Sequence, residues 1–189
     1  MNSAQAPQFN YRCITITGQV GVGKSTLVEN LRQIIEPQGW TFHSASQIQR
    51  DWIKAHNIPL EQTLLRPDEH EREIEAEVKR KLSEEQHVVV DGWLTGFMAQ
   101  GIEGVLKVLI ICSNEAIRID RVANRDTATI DEAKRLIRER ERQNKEKWQA
   151  IYGNHDFWDP KRYDLVIDTY SASKDEAVRL VLEKLGYKS

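Results

Sequence analysis

Residues Gly18, Gln19, Val20, Gly21, Val22, Gly23, Lys24 and Ser25 satisfy every fixed position of the pattern G-x-x-x-x-G-K-S/T. The chemistry that such a run performs is the capture of a chain of phosphates. Its glycines let the backbone turn tightly and bring several N–H groups against phosphate oxygens without interference from a Cβ. Lys24 supplies a mobile cation for the β- and γ-phosphates, and the Ser25 hydroxyl is placed to hold Mg²⁺. Thr26 carries the run onto a following helix, whose N-terminus adds a partial positive charge. Nucleoside triphosphate binding is the expectation; the plain alternative is a glycine-rich turn that matches by chance.

The elements needed to position this loop are present in order. Residues 11–17 are β-branched and mostly apolar, as a buried parallel strand requires. Leu27, Val28, Leu31, Ile34 and Ile35 then recur at helical spacing until Pro37, Gln38 and Gly39 end the run. Further strands are expected at 41–45, 87–91, 105–112 and 163–168, with helices at 47–55, 61–86 and 114–151 and a terminal helix carrying Ala177, Leu180, Val181 and Leu185. Strands alternating with helices predict a parallel sheet covered on both faces, with ligands at the carboxyl ends of its strands. Both the glycine loop and Asp91 fall at such ends.

Composition limits the alternatives. The 189 residues suit one globular domain, and 40% hydrophobic with 30% charged residues excludes a disordered chain. A net charge of −2 gives no reason to expect a nucleic-acid polymer. Cys13 and Cys112 sit in apolar strand-like runs, read as buried small hydrophobes. No apolar run approaches the roughly 20 residues of a membrane helix, and the first eight residues do not read as a signal peptide, so the cytoplasm is the expected compartment.

Two charged stretches need weighing. Residues 61–86 hold nine Asp/Glu against five Lys/Arg, with Ile74, Val78 and Leu82 as one thin apolar stripe, and most of that charge reads as solvated surface. Residues 134–147 hold seven Lys/Arg and three Asp/Glu. Glu132, Glu139 and Glu141 are spaced to pair with these cations on an exposed helix. Yet Arg121 and Arg125 share one helical face, as do Arg140, Asn144 and Lys147. Near a triphosphate site such faces neutralise phosphates.

On these residues the chain resembles P-loop nucleoside monophosphate kinases, most closely the short cytidylate kinases of the archaeal type. The motifs that carry the resemblance are the loop at 18–25; Ser44 to Arg50 after the second strand; Val90, Asp91, Gly92 and Trp93 after the third; Arg118, Arg121 and Arg125; Arg140 with Glu141 ahead of Trp148; and the strand at 163–168. The resemblance implies a three-layer α/β/α P-loop NTPase fold with a five-stranded parallel sheet, monophosphate-binding helices and a helical lid. One kinase domain would span 1–189, with a monophosphate-binding insertion near 46–86 and a lid near 121–150. It further implies that Arg50 holds the acceptor phosphate. Arg121 and Arg125 would be lid arginines, the first near adenine and the second near the transferring phosphoryl group. Arg140, Asn144 and Lys147 would reach the acceptor, and Asp91 would organise water around Mg²⁺. The chain departs from the family pattern at Trp93, where arginine is usual, and at Asn144 and Lys147. Trp93 is then read as a wall against the acceptor, or as a core residue beneath Phe97.

The expected activity is phosphoryl transfer from ATP to a nucleoside monophosphate, with ATP and Mg²⁺ as cofactors, no polymer or membrane partner, and a monomeric chain. A monophosphate with a second pKa near 6 is already mostly a dianion at pH 7, so no general base is needed. Two other readings stay open. A kinase acting on an alcohol needs a carboxylate base, for which Asp51 or Asp91 qualifies. A non-catalytic, regulatory nucleotide-binding module needs none.

Overall fold

The computed structural model describes residues 9–59 and 62–188. Five strands, β1 (Cys13–Thr17), β2 (Thr41–Ser44), β3 (Val88–Gly92), β4 (Val105–Ile111) and β5 (Leu165–Asp168), form one sheet in the order β2-β3-β1-β4-β5. All neighbouring pairs are parallel. Seven helices surround it among the described residues: α1 (Lys24–Ile35), α2 (Ala45–Ala55), α3 (Asp68–Glu84), α4 (Thr95–Met98), α5 (Glu115–Asp126), α6 (Ile130–Tyr152) and α7 (Lys174–Leu185). The chain leaves β1 toward β2 and β3 on one side and later returns to β4 and β5 on the other. The sheet order therefore reverses at β1, the place where open α/β sheets bind ligands.

Side-chain alternation along the central strands supplies two cores. Ile14, Ile16 and Val89 join Leu27, Leu31 and Ile35 of α1 and Val178, Val181 and Leu185 of α7 on one face. Cys13, Val88 and Val90 point the other way, against Ile74, Val78 and Leu82 of α3 and Trp148 of α6. β1 and β3 are buried at every position, the pattern of strands covered on both sides. Both cysteines are buried and unpaired, as expected.

The helix boundaries differ from the sequence expectation for local reasons. α2 starts at Ala45 rather than 47 because the Ser44 hydroxyl accepts from the Gln47 N–H and caps it. α3 starts at Asp68, after Pro67, with Asp68, Glu69 and Glu71 in its first turn; residue 61, where a helix was expected to begin, lies outside the described residues. The long helical region 114–151 is two helices. Thr127 adopts φ 53° and closes α5, and a reciprocal cap between Thr129 and Glu132 opens α6. The Thr129-x-x-Glu132 spacing is a signal for that break that was present in the sequence. The short α4 was not expected.

A third, smaller cluster lies off the sheet. Val20 of the glycine loop packs with Ile119, Val122 and Ala123 of α5 and Ala133 and Ile137 of α6. No helix among the described residues is long and apolar enough to cross a membrane.

Candidate active site

β1 ends at Thr17 and α1 starts at Lys24, so residues 18–23 are the whole connection. Gly21 and Gly23 take φ 73° and 94°, conformations that side chains resist. A Cβ on Gly21 would also lie 2.7 Å from the Arg118 carbonyl oxygen, so the loop is pressed onto α5. The Lys24 ammonium bonds Asp91 Oδ2 at 3.0 Å across the sheet, and the Ser44 hydroxyl donates to the same oxygen at 3.2 Å.

A cavity of about 520 Å³ opens above this loop. That volume suits a nucleotide-sized ligand. Its wall includes Gln19, Val20, Gly21, Val22, Gly23, Lys24, Ser25 and Thr26 of the loop, together with Arg50, Trp93, Arg121, Arg125 and Arg140. Ser25 is exposed toward it. Gly18 and Asp91 stand behind the wall, Gly18 against Ile110 and Asp91 against Lys24.

The arginines divide into two kinds. Arg121 is already tied down: its Nη1 donates to the Gly21 carbonyl at 3.3 Å and to Thr169 Oγ1 at 2.9 Å, and its Nη2 to the Thr169 carbonyl at 3.1 Å. Arg125 is half exposed and bonds only its neighbour Asp126, which pulls its pKa up. Arg140 differs from both. It is 9% exposed, its Nε has no partner, and its guanidinium rests 5.5 Å from the Trp93 ring. Burial, then the positive charges of Arg125, Arg50 and Arg66, pull its pKa down to about 10. A buried cation among cations, with no carboxylate bound to it, is costly in the empty cavity. An anion entering the cavity relieves that cost.

Trp93 forms part of the wall and rests on Trp148 and Trp158 at ring-centre distances of 5.6 and 6.4 Å. Trp93 therefore packs against Trp148 and Trp158, not beneath Phe97, and one side of it faces the cavity.

Two residues expected on the acceptor side do not reach the cavity. Asn144 and Lys147 are 3% and 5% exposed and face inward. Asn144 Oδ1 accepts from Arg66 Nη2 at 2.9 Å, while Lys147 Nζ donates to the Arg66 carbonyl at 2.5 Å and to Asp68 at 2.7 Å. Arg66 holds both, Asn144 through its buried guanidinium, which needs acceptors, and Lys147 through its backbone carbonyl. It takes Glu71 at 2.8 Å, and Glu71 also receives Trp148 Nε1 at 3.1 Å and Gln49 at 2.9 Å. The rest of the basic run behaves as surface: Arg142 pairs with Glu139 and Glu146, and Arg138 with Glu115.

That network yields an expected result on stability. Glu71→Ala strands Arg66, Trp148 and Gln49 without their shared carboxylate. Breaking a buried pair from one side costs about 3–5 kcal/mol. Urea denaturation at unchanged m-value is expected to show that loss. A loss below about 1 kcal/mol, the size of an exposed pair, would mean the pair is solvated.

Sequence reasoning missed Ser46, Asn124 and Thr169. Ser46 lines the cavity one helical turn before Arg50, and its buried hydroxyl has no partner. Thr169 Oγ1 donates to the Val22 carbonyl at 2.7 Å and so braces the loop from behind β5. The Ser46–Arg50 spacing of four was a usable signal; Thr169 carried none.

The comparisons with known proteins bear on the family and the fold. The cytidylate kinase-like family model matches residues 42–171. A cytidylate kinase of Pyrococcus furiosus is 34% identical over 171 residues, covering 89% of this chain and 85% of that one. A cytidylate kinase of Methanopyrus kandleri is 32% identical over 179 residues, covering 89% and 90%. Among solved structures, an uncharacterized protein from Eubacterium ventriosum superposes with a TM-score of 0.69 at 15% identity, covering 94% of this chain and 99% of its own. A gluconokinase from Sinorhizobium meliloti superposes with a TM-score of 0.61 at 18% identity, covering 95% and 94%. These structural likenesses speak to the fold alone, which is that of P-loop kinases. The sequence matches go further, because the family model covers more than half of the chain and relatives of 32–34% identity cover 89% of it: this protein belongs to the cytidylate kinase-like family.

Proposed function

We propose that this protein transfers the γ-phosphoryl group of ATP to a nucleoside monophosphate, with CMP as the first acceptor to test. The observation that carries the reading is Arg140, buried in the cavity wall with its Nε unpartnered among the described residues and near Arg50 and Arg125. The glycine loop accounts for one set of phosphates. A second, separate group of cations calls for an acceptor that brings its own phosphate.

The donor half is residues 18–26 with Arg121. Arg50, Arg140 and Ser46 take the acceptor phosphate, and Trp93 lies against the acceptor base. Arg125 exchanges Asp126 for the transferring group when the lid, near 121–150, closes over the substrates. The monophosphate-binding part, near 46–86, and this lid are two moving pieces of one kinase domain. Closure excludes water and suppresses ATP hydrolysis.

The donor set fits Mg²⁺, a cation that takes hard oxygens, few protein ligands and several waters. No group of three or more His, Cys, Asp or Glu among the described residues is placed to hold a metal, so phosphates and water must complete the shell. Ser25 would hold the ion directly. Asp91 would act through water, since Lys24 and Ser44 both engage its Oδ2 and leave Oδ1 free for that. When bound, the ion neutralises charge on the phosphate oxygens.

The geometry disfavours an alcohol acceptor. Its hydroxyl would need a carboxylate base, yet Asp91 is held by Lys24 and Ser44, and Asp51 is exposed and bonded to Gln47 at 2.7 Å. Asp120 does line the wall, but beside Arg121 at the triphosphate end. ADP release is expected with ATP, Mg²⁺ and CMP or another monophosphate, and not with gluconate or shikimate. Turnover confined to the alcohols would replace this reading with the alcohol kinase. ATP binding without any turnover would leave a regulatory module.

Trp93 supplies a second test. Stacking of a base on an aromatic ring is worth about 1–3 kcal/mol, so Trp93→Ala is expected to raise the KM for the acceptor about 5- to 150-fold. In a CMP titration, the emission change of wild type minus that of Trp93→Phe should carry most of the signal. CMP binding with identical emission changes in both proteins would reject the stacking wall.

A further inference from the structure

Arg118 lies between the two halves of the site and lines neither. Its Nε donates to the Val20 carbonyl of the glycine loop at 3.1 Å, and its Nη2 bonds the Glu141 carboxylate on α6. Both side chains of this pair are mostly buried, at 14% and 23% exposure. Glu141 is the residue after Arg140. One guanidinium thus holds the donor loop through Nε and the helix carrying Arg140 through Nη2.

Two other observations make the junction rigid. The Val20 side chain is inserted between α5 and α6, against Ile119, Val122 and Ile137. Gly21 sits so close to the Arg118 carbonyl that no Cβ fits between them. Arg140 itself has no hydrogen bond through Nε to hold its guanidinium in place. Its position is therefore set by its contact with Trp93 and by where α6 lies, and α6 is tied to the donor loop through Glu141 and Arg118.

We infer that Arg118 and Glu141 are positioning residues that set the separation between the donor and acceptor phosphates. This rests on the functional reading above. In-line transfer needs the reacting atoms about 3–3.5 Å apart, and a misplacement near 1 Å costs on the order of 10² in rate. A strut of this kind acts on the chemical step, because each substrate still meets its own half of the site.

The experiment is steady-state kinetics with ATP, Mg²⁺ and CMP on wild type, Arg118→Ala, Arg118→Lys, Glu141→Ala and the double alanine variant. Each single variant is expected to lower kcat about 10- to 100-fold, with both KM values within about threefold of wild type. The double variant is expected to be no worse than the worse single one, since either change removes the same strut. Arg118→Lys keeps the charge and is the variant most expected to fold; a single ammonium nitrogen lacks the fixed spacing of Nε and Nη2 in the planar fork, so it should not restore kcat. A purely structural role predicts lowered melting temperatures with kcat per folded molecule unchanged, and that result overturns the inference. So does an additive double variant, or a loss confined to one KM. Wild type that turns over CMP beside variants of unchanged kcat rejects the strut alone. Wild type that turns over no monophosphate rejects the functional reading and the strut with it.

Discussion

Arg125→Ala is expected to lower kcat by about 10³–10⁵-fold while leaving the KM for ATP nearly unchanged, the size of effect seen when an arginine serves the transferring phosphoryl group. Arg125 occupies the last turn of α5 and lines the cavity near Arg140. Its guanidinium bonds Asp126 at 2.7 and 2.6 Å, and about half of the side chain is exposed. An exposed pair of this kind is worth little. Exchanging it for a phosphoryl oxygen as charge develops in the transition state would therefore cost little. Steady-state kinetics over a range of ATP concentrations separates the outcomes. Equal losses in binding and turnover would mark Arg125 as a static ATP contact. Unchanged turnover would reduce it to the surface partner of Asp126.

The second large effect belongs to Lys24. Removing one preorganised charge-stabilising donor costs on the order of 10²–10³ in rate, and Lys24→Ala is expected to lose at least that while remaining folded. The loop backbone is shaped by Gly21 and Gly23 and braced by Thr169 and Arg121, none of which uses the lysine side chain. Asp91 keeps the Ser44 hydroxyl after the change. Circular dichroism melting checks the fold, and ADP release checks the rate. A folded variant with near wild-type turnover would sink the assignment of the loop to the transferred phosphates.

Sequence and structure divide the explanation of this protein along a physical line. Features made by neighbouring residues were legible. The strand, glycine loop and helix at 13–35 form a contiguous unit whose backbone requirements are met by local residue types, so pattern and structure coincide. The central strands β1, β3 and β4 were legible because burial on both faces leaves apolar runs, and the edge strands β2 and β5 by their place between helices. Helix ends were less so. The break at Thr127 and the cap at Ser44 are single-residue events beneath a periodicity signal averaged over several turns.

The acceptor side was decided by tertiary structure. Arg140, Asn144 and Lys147 stand on one face of α6 by spacing alone, and nothing in that spacing separates them. The difference comes from Arg66, distant in sequence and close in space, which is buried and draws Asn144 and Lys147 into its own hydrogen bonds. Arg140, one turn earlier, is left facing the cavity over Trp93 with its Nε unpartnered among the described residues. The same holds for Arg118, whose two acceptors lie 98 and 23 residues away. The sequence by itself determined that this chain has a phosphate loop on a parallel sheet, since local geometry and burial pattern suffice for both. Only the tertiary structure decided which cations face the cavity, because a buried charge must be matched by partners that the chain brings from elsewhere.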